Sequence, residues 1–338
     1  MKKRWSWPRQ ISDALTRCPA GAPLCFHTGF LAYWVHPHFS HRQIHCAYSI
    51  MLSNEAGSGS LSKWKRLAAE GSGSMKANYH THTQRCRHAQ GTERDYVLAA
   101  IKAGISILGF SDHAPFPDYD YGLRMSYAEL DDYTAAVDRL AREYHSDITL
   151  YKGLEIEYLS KYRPYYEELL TGKKLDYLIL GEHFYPDARG ELHNIFYPQG
   201  TEDYAAYARA IAAALKTGCF RIVAHPDIFA LGRFAWDRNC DEASDIIIEA
   251  ALRNGAILEY NANGLRRGIH DYPDGPRLMY PHQKFWDKVV GTGIPVIVGS
   301  DCHEAGQVWD DCLPAAREQL LRMGITPLDY VEGLGTRS

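Results

Sequence analysis

Residues 78–88 read NYHTHTQRCRH and place three histidines, His80, His82 and His88, almost side by side. Neutral imidazole is a ligand for Zn, Fe, Ni and Cu, and carboxylate added to it extends the range to Mn and Mg. In an extended chain the side chains alternate between two faces, so His80 and His82 point the same way and can chelate one cation. The same spacing recurs at Asp301 and His303. A single His-x-His pair is weak evidence, because a lone histidine is usually a satisfied core or surface residue. Cys86, between the pair and His88, is read as a packed thiol before it is read as a ligand. The chemistry therefore depends on what the rest of the chain delivers.

The remaining candidates all close short apolar runs. Met75 opens an alternation of apolar stretches and helix-like stretches. The strand-like runs are 76–82, 105–113, 148–158, 175–184, 220–227, 256–264 and 295–303. They end on His80 and His82, on Asp112 and His113, on Glu155, His183, His225 and Asn261, and on Asp301 and His303. Helical patterns occupy 94–104, 126–145, 202–218 and 241–255, and several stop at Gly, a common C-terminal cap. Repeated βα units imply a parallel sheet. Seven strands with no G-x-G-x-x-G and no P-loop favour a barrel over an open nucleotide-binding sheet. In such barrels the polar residues at the C-terminal strand ends build the active site. Strand ends that are this rich in histidine and carboxylate predict a polynuclear metal site. The absence of a cysteine ligand set argues against a structural zinc knuckle.

Bulk properties narrow the function further. The chain has 338 residues, 46% of them hydrophobic, enough for a full core without staples. A net charge of −4 offers no broad basic surface for nucleic acid or an acidic membrane. Eight cysteines without a C-x-x-C pair suit reduced thiols in the cytoplasm. No apolar run reaches the roughly 18 residues of a membrane span, and the basic N-terminus lacks a signal peptide's apolar core. Residues 1–74 read differently from the rest, with two GSGS patches and no clear periodicity. They are expected to be a poorly structured or non-native extension, leaving 75–338 as the functional domain and Met75 as its natural start.

With these residues in order, the chain resembles the PHP (polymerase and histidinol phosphatase) superfamily over roughly residues 75–325. The motifs that carry the resemblance are HTH at 80–82, His88, SDH at 111–113, GLE at 153–155, GEHF at 181–184, AHPD at 224–227 and SDCH at 300–303. The resemblance implies a distorted (β/α)7 TIM-like barrel and a metal-dependent phosphoesterase with two or three divalent ions, Zn, Fe or Mn. By the family's scheme, one ion would take His80, His82, Glu155 and Asp301. A second would share Glu155 and add His183 and His225, and a third would take His88, His113 and His303. SDHAPFP, LRMS at 123–126, GLEIEY, DYLILGEHF and NANGLRRG look most like the histidinol-phosphatase branch. The family more often has Asn-Thr-Ser-Gly where this chain has NANG at 261–264.

The implied reaction is attack of metal-bound hydroxide on a small phosphorylated substrate, L-histidinol phosphate, with Glu155 holding the nucleophile and Asp301 on the metal. Other routes lack their motifs: no cysteine is followed by arginine six positions on, and there is no Asp-x-Asp-x-Thr. Asp112 and Asp227 are expected to orient ligand histidines or to pass a proton to the leaving group. Arg124, Arg233 and Arg266 are the expected phosphate-binding arginines, Arg266 first among them, with Arg267 turned outward. His145, His193, His270 and His282 lie off the motifs and are read as ordinary residues. The rival readings are a PHP phosphoesterase for another small monoester, such as a sugar phosphate or nucleotide, and a non-catalytic metal-binding domain.

Overall fold

A computed structural model describes residues 77–334. The expectations for residues 1–74 and for Met75 as the start lie outside these residues. Seven parallel strands form one sheet in the order β1 (Ala77–Asn78), β2 (Ile107–Phe110), β3 (Thr149–Ile156), β4 (Tyr177–Leu180), β7 (Ile222–Val223), β8 (Ile257–Asn261) and β11 (Val296–Gly299). The two ends of the sheet meet just beyond the strands. Thr81 bridges Cys302 in parallel, and the His82 N–H donates to Cys302 O at 3.0 Å. The sheet is thus a nearly closed barrel, as the alternation of runs predicts.

Period-two alternation sorts each strand into a lumen face and a helix face. In β4, Tyr177 and Ile179 join Ile222, Ile257 and Ile297 in one cluster inside the barrel. Their neighbours Leu178, Leu180, Val223, Leu258 and Val298 belong to the larger cluster between strands and helices. The lower lumen is apolar and is sealed by Val331 and Leu334, and the Val331 N–H donates to the Tyr79 hydroxyl at 2.9 Å. Higher up, the same lumen face carries Glu155 and Glu259. Hydrophobic burial below therefore supports a polar layer above it.

The helices flank the barrel: α1 (Glu93–Lys102), α2 (Leu130–Glu143), α3 (Arg163–Thr171), α4 (Tyr204–Leu215), α5 (Arg238–Asn254), α6 (Ala262–Arg267), α7 (Gln283–Val289) and α8 (Cys312–Arg322). A capping box of Thr92 and Asp95 starts α1. The buried stripe of α2, Leu130, Tyr133, Val137 and Leu140, has helical spacing, and the Tyr133 hydroxyl donates to Gly153 O of β3 at 2.7 Å. Gly255 at φ +62° stops α5, where a left-handed cap suits glycine. Two small antiparallel hairpins, β5 (Phe184–Pro186) with β6 (Leu192–Asn194) and β9 (Ile269–Tyr272) with β10 (Gly275–Leu278), were not anticipated from the sequence. The run 256–264 is also shorter as a strand than expected. It ends at Asn261, whose side chain accepts from the Asn263 N–H at 2.9 Å and starts α6.

Candidate metal centre

The expected donors converge at the C-terminal end of the barrel. Glu155, at the end of β3, has no exposed surface and lies among the imidazoles. Its Oε1 is 2.9 Å from His225 Nε2 and 3.6 Å from His183 Nε2. Its Oε2 is 3.1 Å from His113 Nδ1, 3.4 Å from His80 Nε2 and 3.5 Å from His82 Nε2. Asp301 Oδ1 is 3.2 Å from His82 Nε2 and 3.6 Å from His80 Nε2. His88 and His303 meet Nε2 to Nε2 at 2.9 Å. His80, His225 and Glu155 form the deep side, while His88, His113 and His303 are partly exposed toward the mouth.

Local structure explains each placement. After His82, a 3-10 turn at Gln84–Cys86 is capped by the Thr83 side chain, and Arg87 at φ +71° reverses the chain. The Gln90 N–H then donates to His303 O at 2.8 Å, which returns His88 to the mouth. His225 and Asp301 both have positive φ, +29° and +44°. Backbone strain of this kind, at non-glycine residues, costs on the order of 1–3 kcal/mol and persists where the surroundings hold it. Here it turns two donors inward. Gly181 and Gly299 allow close approach. A Cβ at Gly181 would run into Glu155 Oε1, and one at Gly299 into Glu259 Oε1.

The partners of the outer ring nitrogens decide which way the lone pairs face. His80 Nδ1 is 2.8 Å from Glu259 Oε1 and His183 Nδ1 is 3.0 Å from Glu157 Oε1. His88 Nδ1 faces Cys86 O at 2.8 Å and His303 Nδ1 faces Asp301 O at 3.1 Å. Carboxylate and carbonyl oxygens accept, so each Nδ1 carries the proton and each Nε2 presents a lone pair to the centre. Lone pairs then face carboxylate oxygens or one another at 2.9–3.6 Å. Glu155 Oε2 is buried with no hydrogen-bond donor. An arrangement of acceptors facing acceptors fits cations between them. The buried triads His80–His82–Asp301 and His80–Glu155–His225, and the partly exposed His82–His113–His303, each offer donor atoms within 4.8 Å of one another. The donor set of imidazole and carboxylate suits Zn, Fe or Mn.

Electrostatics divide the imidazoles: burial holds the mouth rings neutral, whereas against burial the facing carboxylates raise His80 and His183 toward the charged form, which a bound cation would have to displace. Burial opposes the charge on Glu155 and Asp301, yet the facing histidines hold both well below the usual carboxylate range. Burial pushes His113 and His303 well down, and His88 to about 4, keeping them neutral and able to ligate. For His80 burial again opposes the charge, but Glu259, Asp301 and Glu155 raise it. Cys86 is fully buried, and burial pushes its thiol up, away from the thiolate form; its Sγ is 4.0 Å from His88 Nε2.

Several expected roles change. Asp112 does not hold a ring: its carboxylate accepts from the Thr83 N–H at 2.7 Å and the Thr83 hydroxyl at 2.9 Å. Asp227 accepts from the His282 N–H at 2.5 Å and the Trp286 indole at 3.1 Å. Burial raises these two acids to about 6 and about 7. The carboxylates that face the clustered histidines are instead Glu157 and Glu259, and Glu259 Oε2 also accepts the His225 backbone N–H at 3.0 Å. Both were missed, although Glu157 sits two positions past Glu155, just beyond β3, and Glu259 sits two positions before Asn261 on the same face of β8. Asp301 is steadied by Asn261 and Asn263, whose amides donate to Oδ2 at 3.2 and 3.1 Å. The off-motif histidines do have local partners. His145 pairs with Arg142 O and His270 with Arg267 O, His193 lies near Asp187, and His282 caps α7.

The arginines also divide differently. Arg266 binds Asp310 through Nε at 2.6 Å, Gln307 O through Nη2 at 3.0 Å, and Ser300 O through Nη1. Its donors are committed to the loop that carries Asp301, so it braces that loop and is not poised for phosphate. Arg267 is half-buried, not outward, 5.9 Å from the Tyr280 ring. Arg124 is buried against Glu157, and Arg233 is exposed beyond the turn at Ile228–Leu231. Arg266→Ala is therefore expected to destabilise the fold by about 1–3 kcal/mol, the order for losing charge-assisted hydrogen bonds of a partly buried arginine. Thermal unfolding should show a Tm lower by several degrees, with KM nearly unchanged. A raised KM at unaltered Tm would return Arg266 to the substrate.

A family model for the PHP domain matches residues 78–263. The chain is 29% identical over 236 residues to a probable histidinol-phosphatase of Deinococcus radiodurans, covering 68% of this chain and 86% of that one. It is 23% identical over 262 residues to the histidinol-phosphatase of Bacillus subtilis, covering 69% and 96%. Among solved structures, the putative histidinol phosphatase of Listeria monocytogenes aligns with TM-score 0.57 at 20% identity, over 70% of this chain and 98% of its own. The histidinol phosphate phosphatase of Lactococcus lactis, complexed with Zn, L-histidinol and phosphate, aligns with TM-score 0.57 at 19% identity, over 75% and 95%.

Proposed function

The chain belongs to the PHP domain family, and on that premise we propose that it is a metal-dependent histidinol-phosphatase, hydrolysing L-histidinol phosphate to L-histidinol and phosphate. The observation that carries this reading is the convergence of imidazole lone pairs on the buried Glu155 carboxylate. The names of the relatives support the substrate. In this reading His80, His82, Glu155 and Asp301 hold one ion, Glu155 with His183 and His225 a second, and His88, His113 and His303 a third.

Divalent ions held there supply Lewis acidity, lowering the charge on a phosphate monoester and acidifying water for attack. The chain's own residues do the rest. Glu155 turns one oxygen to the His183–His225 side and the other to the His80–His82–His113 side. Glu259 and Glu157 keep the His80 and His183 lone pairs inward. Asn261 and Asn263 fix Asp301. The partly exposed His88, His113 and His303 face the side from which a substrate enters. Of the arginines named from the sequence, exposed Arg233 keeps the role of phosphate contact. Among the described residues no helix is long and apolar enough to cross a membrane. The free buried cysteines, Cys86, Cys219, Cys240, Cys302 and Cys312, favour a reducing cytoplasm.

The test pairs elemental analysis with a phosphomonoester panel. Bound Zn, Fe or Mn, loss of activity on chelation, and kcat/KM highest on L-histidinol phosphate are the expected results. A faster rate on a sugar phosphate or nucleotide would keep the chemistry and change the substrate. Full activity after metal removal would end the reading.

A further inference from the structure

Arg124 lies in the loop between β2 and α2 and is only 6% exposed. Its guanidinium meets Glu157 with two prongs, Nη1 to Oε2 and Nη2 to Oε1, both at 3.0 Å. The same Oε1 accepts from His183 Nδ1 at 3.0 Å. Two further donations go to backbone, Nη1 to Ala114 O at 3.0 Å and Nε to Gly122 O at 3.1 Å. The rings of Phe116, Tyr121 and Phe184 surround the guanidinium at 5.6, 5.8 and 5.9 Å. An arginine engaged on every side in this way is not available to grip a phosphate.

We propose that Arg124 is a positioning residue for the metal centre: by clamping Glu157 it holds His183 with Nε2 toward Glu155, and so sets the affinity of the Glu155–His183–His225 side for its divalent ion. This rests on the metal-dependent reading above. Glu157 is 1% exposed, and a carboxylate so buried is costly unless a cation and hydrogen bonds compensate it. The planar fork fixes both oxygens at once, and with them the plane in which Oε1 meets the His183 ring. The bond to Ala114 O also braces the residue after His113, so one guanidinium steadies two ligand segments. Lysine retains the charge but presents a single point donor, which leaves the carboxylate free to rotate.

The test is Zn2+ affinity, read without substrate. Full-length wild type, Arg124→Lys and Arg124→Ala are stripped of metal and titrated with Zn2+ against a chromophoric chelator. One Zn2+ equivalent is expected to weaken most in both variants, by up to roughly the 10–100-fold lost when a ligand's outer partner is removed, with the others changed less. In the phosphomonoester assay, kcat at limiting Zn2+ should fall, recover in excess Zn2+, and leave KM within about twofold. Unchanged Zn2+ affinity with a raised KM would make Arg124 a substrate contact. Unchanged affinity and kinetics with a lower Tm would make it structural only. Should Arg124→Ala fail to fold, Glu157→Gln gives the same readout. Wild type that binds no Zn2+ would overturn the metal reading itself, whereas wild type and Arg124→Lys binding it equally would overturn only this inference.

Discussion

Glu155→Gln is expected to lower turnover by at least about 10³-fold, a barrier increase of about 4 kcal/mol, and to lose metal at the same time. The substitution keeps the shape and removes the charge. Both Glu155 oxygens face imidazole nitrogens, His225 at 2.9 Å on one side and His113 at 3.1 Å on the other, so the two sides that share Glu155 lose its charge together while Asp301 keeps its own. The amide nitrogen would also point a donor where a cation is expected. The near-isosteric change should keep the fold but lower its metal-free stability, because the histidines around Glu155 favour its charge and lose that partner. The distinguishing measurement is thermal unfolding with and without added metal. Ligand binding raises the stability of the folded state by RT ln(1 + [L]/Kd), about 2.7 kcal/mol at a hundredfold excess over Kd. Wild type should show that upward shift and Glu155→Gln should not. A variant that keeps its metal, its shift and its activity would sink the assignment of Glu155 as the shared ligand.

A single methyl group at Gly299 is expected to do nearly as much. The Cβ of Gly299→Ala would occupy the place of Glu259 Oε1, the oxygen that holds His80 Nδ1 at 2.8 Å. Glu259 has no exposed surface, so its carboxylate has nowhere to retreat without pulling away from His80 and from the His225 N–H. The overpacking alone costs about 1–3 kcal/mol. Losing the partner that fixes a ligand imidazole adds on the order of 10–100-fold in metal affinity. Gly299→Ala should thus bind metal weakly and turn over slowly even at saturating substrate. Glu259→Gln, which leaves the space alone, separates the two costs: it should share the loss of metal affinity without the loss of packing. Wild-type metal affinity in both variants would show that Glu259 does not orient His80.

The pairing of His80 with His82 was legible because strand periodicity is local, and their Nε2 atoms do lie 3.0 Å apart. The gathering of His88 with His303, 215 residues apart, was legible only through the resemblance to the PHP superfamily, since no local pattern joins them. Helices with strong internal signals, α1, α2, α4 and α5, were recognisable. Helices α3, α6, α7 and α8, and the two hairpins, were not, because their stability comes from packing on the barrel more than from their own pattern.

The sequence by itself determined the donor inventory, the succession of βα units and the metal-dependent chemistry those donors imply, since ligand type and period-two spacing are properties of the chain alone. The tertiary structure decided which acid serves which imidazole and where each arginine is engaged. Glu259 reaches His80 across 179 residues, and Arg124 reaches Glu157 across 33. Asp112 and Asp227, adjacent to motif histidines or nearly so, turn instead to Thr83, His282 and Trp286. A side chain's partner is set by inter-strand register and by loop return, and in a barrel the nearest group in space is seldom the nearest in sequence.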